Sequence, residues 1–191
     1  MGLLKLTDAA AEPVTLAEAK AHLNIFETSR DTYITTLIKV ARQWCEEYLQ
    51  RSLIDTTWEL TLDAFPTAIK LPRPRARSVT SVKYVDQSGV QQTLSAPSYT
   101  LDNKNEPGWI VPAYGYSWPS TRDQVNAVEV VFVSGFGANA ASVPEPIRQW
   151  VLLAIGTMFD NRETEVIGAG LGATELKFAM RLIDSYKYWS V

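Results

Sequence analysis

The hydrophobic period changes twice along this chain, and that change restricts the fold more than any other feature. Between residues 34 and 49, Ile34, Leu37, Ile38, Ala41, Cys45, Tyr48 and Leu49 recur at helical spacing. Arg30, Thr35, Lys39, Arg42, Gln43, Glu46, Glu47 and Gln50 fill the other face, so one amphipathic helix is predicted, starting near Thr28–Asp31. From Thr56 the period is two. Trp58, Leu60 and Leu62 alternate with Thr57, Glu59 and Thr61, and Asp63-Ala-Phe-Pro66 turns the chain. Further short strands are expected at 68–71, 79–85, 90–94, 98–102 and 108–111. A stronger one runs from Val125 to Val133, its near-continuous apolar character implying burial on both faces. From Ser142-Val-Pro-Glu-Pro-Ile147 the helical period returns and runs to about Asn161.

An order of helices, short strands, then helices reads as α+β. Thr15 and Glu18 have capping-box spacing and open a short first helix that ends near Leu23. The helix after Pro146 is apolar nearly all round (Ile147, Trp150, Val151, Leu152, Leu153, Ile155, Met158, Phe159), which suits a central core or a shared interface. A glycine-rich link at 168–172 precedes a last helix from Thr174 to about Tyr188. That helix carries two apolar rows, Leu176, Ala179, Met180 and Ile183, and Phe178, Leu182, Tyr186 and Trp189. Two rows are more than one intramolecular contact requires, so a mobile docking arm is expected. The predicted organisation is one domain over 1–165, helical with a β-rich insertion at about 56–134, followed by link and docking helix over 166–191.

Catalytic readings fail by inventory. The 191 residues include one histidine, His22, and one cysteine, Cys45. A zinc site lacks ligands at metal spacing, and Cys45 on an apolar stripe reads as packing rather than as a nucleophile beside His22. Gly168-Ala-Gly-Leu-Gly-Ala173 follows a helix end instead of a strand, so it reads as a hinge and not a dinucleotide fingerprint. No cofactor or metal is expected, and no enzyme activity. A single cysteine fits a reducing cytosol, and the longest apolar run, 151–156, is far short of a membrane span.

Arg73, Arg75 and Arg77 raise the question of nucleic acid. A net charge of −3 is unlike a general nucleic-acid binder. Pro72 and Pro74 make the segment a stiff exit from a strand. Charges held on a stiff turn read as facing water. Tyr114, Tyr116 and Trp118 stand in an aromatic loop without period.

The motifs in order resemble a known family: Pro13-Val-Thr-Leu-Ala-Glu-Ala-Lys-Ala-His-Leu23, the helix ending Glu46-Glu-Tyr-Leu49, Leu71-Pro-Arg-Pro74, Val79-Thr-Ser-Val-Lys-Tyr84, Tyr99-Thr-Leu-Asp102, Pro107-Gly-Trp109, Ser117-Trp-Pro119, Val128-Glu-Val-Val-Phe-Val-Ser-Gly-Phe-Gly137, Val143-Pro-Glu-Pro-Ile-Arg148 and Asn161-Arg-Glu163. Together they look like the head–tail connector (adaptor, or head-completion) family of tailed double-stranded DNA phages, over the chain to about residue 165. The resemblance implies a structural ring, commonly of about twelve copies, beneath the portal protein in the virion neck and assembled in the host cytoplasm. It implies DNA passing through the lumen without sequence-specific binding, a downstream neck or stopper protein below, and no membrane. In such a ring Arg73, Arg75 and Arg77 are expected to contact a neighbouring subunit, with channel lining as the second choice, and Tyr114, Tyr116 and Trp118 are grouped with them as candidate subunit-contact or channel residues. Portal docking is expected of Leu176, Phe178, Met180, Leu182, Ile183, Tyr186 and Trp189, although the chain departs from the family's pattern after residue 165. The alternative is a DNA-binding protein using Arg73–Arg77.

Overall fold

The computed structural model describes residues 1–161 and 179–189. They form two units, a strand unit of residues 1–10 and 55–136 and a helical unit built from 11–54 and 137 onward.

The strand unit is antiparallel throughout. It contains β1 (Gly2–Lys5), β2 (Thr56–Leu62), β3 (Ile69–Leu71), β4 (Ala76–Val85), β5 (Gln91–Thr93), β6 (Tyr99–Asp102), β7 (Gly108–Pro112) and β8 (Val128–Ser134). One sheet has the order β1-β2-β8-β4-β5 and the other β3-β7-β6. The alternation in β2 sets its register on β8, pairing Trp58 with Phe132 and Leu60 with Val130, because a slip of one residue would turn Leu60 to solvent. Leu60, Val82, Val130 and Phe132 from the larger sheet and Ile69, Leu71 and Ile110 from the smaller share one core. Gly108 is required there, since a Cβ would stand 2.6 Å from that of Ala76.

Two expectations change. Strand β8 is buried on one face only: Val128, Val130, Phe132 and Ser134 are inside, while Glu129, Val131 and Val133 are half-covered. It lies between β2 and β4, and a central position satisfies its backbone without covering both faces. It also starts at Val128, because Asn126 turns the chain with φ 56° and Val125 is exposed. Strand β1 was not expected. All four of its residues are exposed, and its pairing with β2 supplies the order.

The helical unit contains α1 (Leu16–His22), α2 (Asp31–Leu49) and α3 (Glu145–Asp160). The capping box forms: Glu18 N–H donates to Thr15 Oγ1 at 3.2 Å, and Thr15 N–H donates to Glu18 Oε2 at 2.7 Å. Helix α2 starts at Asp31 without a side-chain cap, with Lys20 Nζ 2.6 Å from the Asp31 carboxylate. Ile34, Leu37, Ile38, Ala41, Cys45 and Leu49 are buried as their spacing requires. Arg42 and Glu46, assigned to the polar face, are also buried, with Arg42 only 1 % exposed. Their charges are paired: Arg42 Nε lies 2.8 Å from Glu12 and Nη1 3.0 Å from Glu46, whose other carboxylate oxygen accepts the Leu53 N–H at 2.9 Å. In α3, Ile147, Trp150, Val151, Ala154 and Ile155 are buried. Leu152, Leu153 and Met158 are half-buried, so the all-round apolar reading describes a packed helix with one drier face. Arg148 fastens its first turn, donating to Pro13 O at 3.1 Å and pairing with Glu145 and Glu18.

Candidate assembly surfaces

Beyond β3 the chain passes Pro72 and reaches Arg73 in the left-handed region, φ 57°, which costs a non-glycine residue about 1 kcal/mol or more. The Arg73 guanidinium lies over the Trp58 ring, 5.3 Å from its centroid. Arg75 stands 3.8 Å from Glu106. Arg77 Nε is 3.2 Å from Asp55, and its Nη1 donates to Phe136 O at 3.4 Å. The three side chains therefore have three different partners and do not converge as a phosphate grip would. Arg75 and Arg77 do share one feature, an open cleft of about 620 Å³ lined also by Asp55, Ser78, Asn103 and Phe136.

The aromatic loop divides into a base and a tip. Trp118 is stacked on Phe65, centroids 4.8 Å apart and planes 5° off parallel, and its Nε1 donates to Thr67 O at 3.3 Å. Phe65 in turn contacts Tyr84. Trp118 is half-buried, and this stack and this bond anchor the base of the loop. Tyr114 and Tyr116 are exposed at the tip. Gly115 between them has φ +81°, a conformation suited to glycine.

At the C-terminus, Leu176, Phe178 and the glycine link lie outside the described residues. Residues 179–181 are helical and Asp184–Tyr186 form a 3-10 turn. Lys187 is already extended, so the helix expected to reach Tyr188 ends before Asp184. Long-range contacts stop it. The Tyr48 hydroxyl donates to Asp184 at 2.5 Å, and Tyr188 N–H donates to Leu49 O at 3.0 Å. The hydrogen bond to Asp184, with burial second, raises the Tyr48 phenol above its ordinary pKa. The second bond satisfies a carbonyl that the end of α2 would otherwise leave open. Ile183 is fully buried, which removes that side chain from an exposed docking face. Met180, Leu182 and Tyr186 are half-buried and Trp189 is exposed, its ring 4.5 Å from Lys187 Nζ.

Cys45 is buried, and desolvation pushes its thiol far above the ordinary range, reinforced by Glu46. Burial of this kind disfavours the thiolate form that a nucleophile requires. Among the described residues no group of three or more His, Cys, Asp or Glu side chains could hold a metal ion. No described helix is long and apolar enough to cross a membrane.

One surface was missed by the sequence reading. Tyr33, Val40 and Trp44 lie on one line of α2 and remain partly exposed. Their spacing, i, i+7 and i+11, is a helical signal that the wider apolar stripe beside it masks. Trp44 meets Trp150 edge-on at 5.2 Å, and Tyr33 meets Phe159 at 6.0 Å.

Residues 13–95 match the family model of phage gp6-like head-tail connector proteins. No curated protein sequence matches the chain. Among solved structures, a chain from the neck of an empty GTA particle computed with C6 symmetry is 24% identical, with a TM-score of 0.80, covering 100% of this chain and 97% of that one. A chain from the virion of a native gene transfer agent particle is 23% identical at TM-score 0.79, with the same coverage. A chain from the neck of a native GTA particle computed with C12 symmetry is 24% identical at TM-score 0.72, again covering 100% and 97%. At these identities the likeness is one of fold, extending over the whole chain.

Proposed function

We propose that this chain is a head–tail connector, a structural component of the neck of a tailed-phage-like particle. The observation that carries the reading is the gp6-like head-tail connector match over residues 13–95. It is supported by a fold shared end to end with chains from symmetric particle necks. In this reading copies close into a ring of about twelve, the portal protein lies on one side and the next neck protein on the other, and DNA passes through the lumen. The arginine-rich segment is compatible with that role and favours no separate DNA-binding one. Its guanidiniums are divided among Trp58, Glu106 and Asp55, and a net charge of −3 per copy repels a sliding duplex instead of holding it.

The direct test is electron microscopy of particles assembled with this chain carrying a bulky label. The expected result is a ring of label density at the neck between head and tail. Label confined to the capsid wall or the tail tube, or particles whose necks are complete without the chain, would overturn the reading.

A further inference from the structure

We infer that Tyr114 and Tyr116 of one copy dock onto the outer strip of α2, around Val40 and Trp44, of a second copy. The choice of partner rests on the ring reading; the surfaces themselves do not.

The loop tip is built to be inserted. Tyr114 is fully exposed and Tyr116 half-exposed. Their backbone is already fixed: Tyr116 N–H donates to Ala113 O at 2.9 Å, Ala113 N–H donates to Ser98 O at 3.0 Å, and Trp118 pins the far side. A tip ordered before docking loses little conformational freedom when it docks. Tyrosine is also among the side chains that dominate binding energy at interfaces.

The tip's chemistry specifies its receptor. No charged residue occurs from Pro107 to Thr121, so an acidic or basic surface would lose hydration on contact and gain no ion pair. The strip on α2 is apolar at its centre, where Val40 is 43% and Trp44 40% exposed beside the uncharged Thr36 and Gln43, and its rim is charged, with Lys39 next to Val40 and Glu47 one turn beyond Trp44. Contact with the Trp150 edge holds Trp44 in place. A cyclic joint is heterologous, requiring two different patches on every copy. A tyrosine tip on the strand unit and an apolar strip on the helical unit are such a pair, and a second copy carries both.

The test places the photo-cross-linking residue p-benzoylphenylalanine at position 114 of the full chain. Isotopically light and heavy chains are mixed, and cross-linked peptides are read by mass spectrometry from assembled necks. The expected product joins residue 114 of one copy to the α2 segment of another, with light–heavy pairs present. Val40→Glu should reduce that product at least tenfold while the circular dichroism spectrum stays unchanged. Cross-links only within a copy, only elsewhere on a neighbour, to another neck protein or to DNA, or none in necks that contain the chain, would overturn the inference. A chain absent from necks would instead refute the connector reading. In that case the same light–heavy product on the concentrated purified chain decides this inference alone: its presence supports it and its absence removes it.

Discussion

Arginine occurs in this chain in two physical situations, and the difference predicts opposite mutational outcomes. Arg42 is 1 % exposed and paired with Glu12 and Glu46. Truncating it leaves Glu46 buried without its cation, a situation that costs about 3–5 kcal/mol. Arg42→Ala should therefore lower the unfolding midpoint in urea by that equivalent. Arg73, Arg75 and Arg77 pair at or near the surface, where an ion pair contributes roughly 0–1 kcal/mol. Their joint replacement by alanine should leave a folded protein with a much smaller change. The triple variant should also match the parent in duplex DNA retention at physiological salt. A steep salt-dependent affinity in the parent, lost in the variant, would revive the DNA-binding reading. The sequence identified the arginine cluster readily because local proximity is visible in one dimension. It misassigned Arg42 because the partner that permits burial, Glu12, is thirty positions away.

Elements were legible wherever their signal was local. The capping box at Thr15 and Glu18, the apolar stripe of α2 and the extended run of β2 each have a signal within a few residues, and each element formed. Strand β1 escaped because its order comes from β2, more than fifty residues on. The end of the last helix escaped for a similar reason, since Tyr48 and Leu49 terminate it from a distance. The capping box also carries a pH dependence. The Thr15 backbone N–H bonded to the Glu18 carboxylate, assisted by the Thr15 hydroxyl and Arg148, holds its pKa below the ordinary value. A carboxyl depressed in the folded state contributes stability that is complete above its unfolded pKa. That contribution is lost as pH falls through the folded pKa. Glu18→Gln should thus remove part of the acid sensitivity of the thermal midpoint below about pH 4. A parallel pH profile in parent and variant would exclude this role. Thr15→Ala should cost about 1 kcal/mol at neutral pH.

For the molecule as a whole, the question is what its C-terminal segment does, and the described residues divide that segment in two. Ile183 is buried, Asp184 accepts from Tyr48 and Tyr188 donates to Leu49 O, so residues 183–188 complete the helical unit. Trp189 beyond them is exposed. A docking arm free of its own core would allow truncation anywhere after residue 174 without loss of stability. The contacts of Ile183 argue otherwise, since burial of such a side chain contributes about 1.5–3 kcal/mol. Removal of residues 183–191 should therefore lower the unfolding midpoint of the helical unit by at least that much. Trp189→Ala should leave stability within about 0.5 kcal/mol, as surface substitutions do. If the end of the chain contacts the portal, Trp189→Ala should still weaken incorporation into necks, measured as label density per particle. Equal stability of the parent and the truncated chain would restore the free-arm picture. Unimpaired incorporation of Trp189→Ala would take that residue out of the contact.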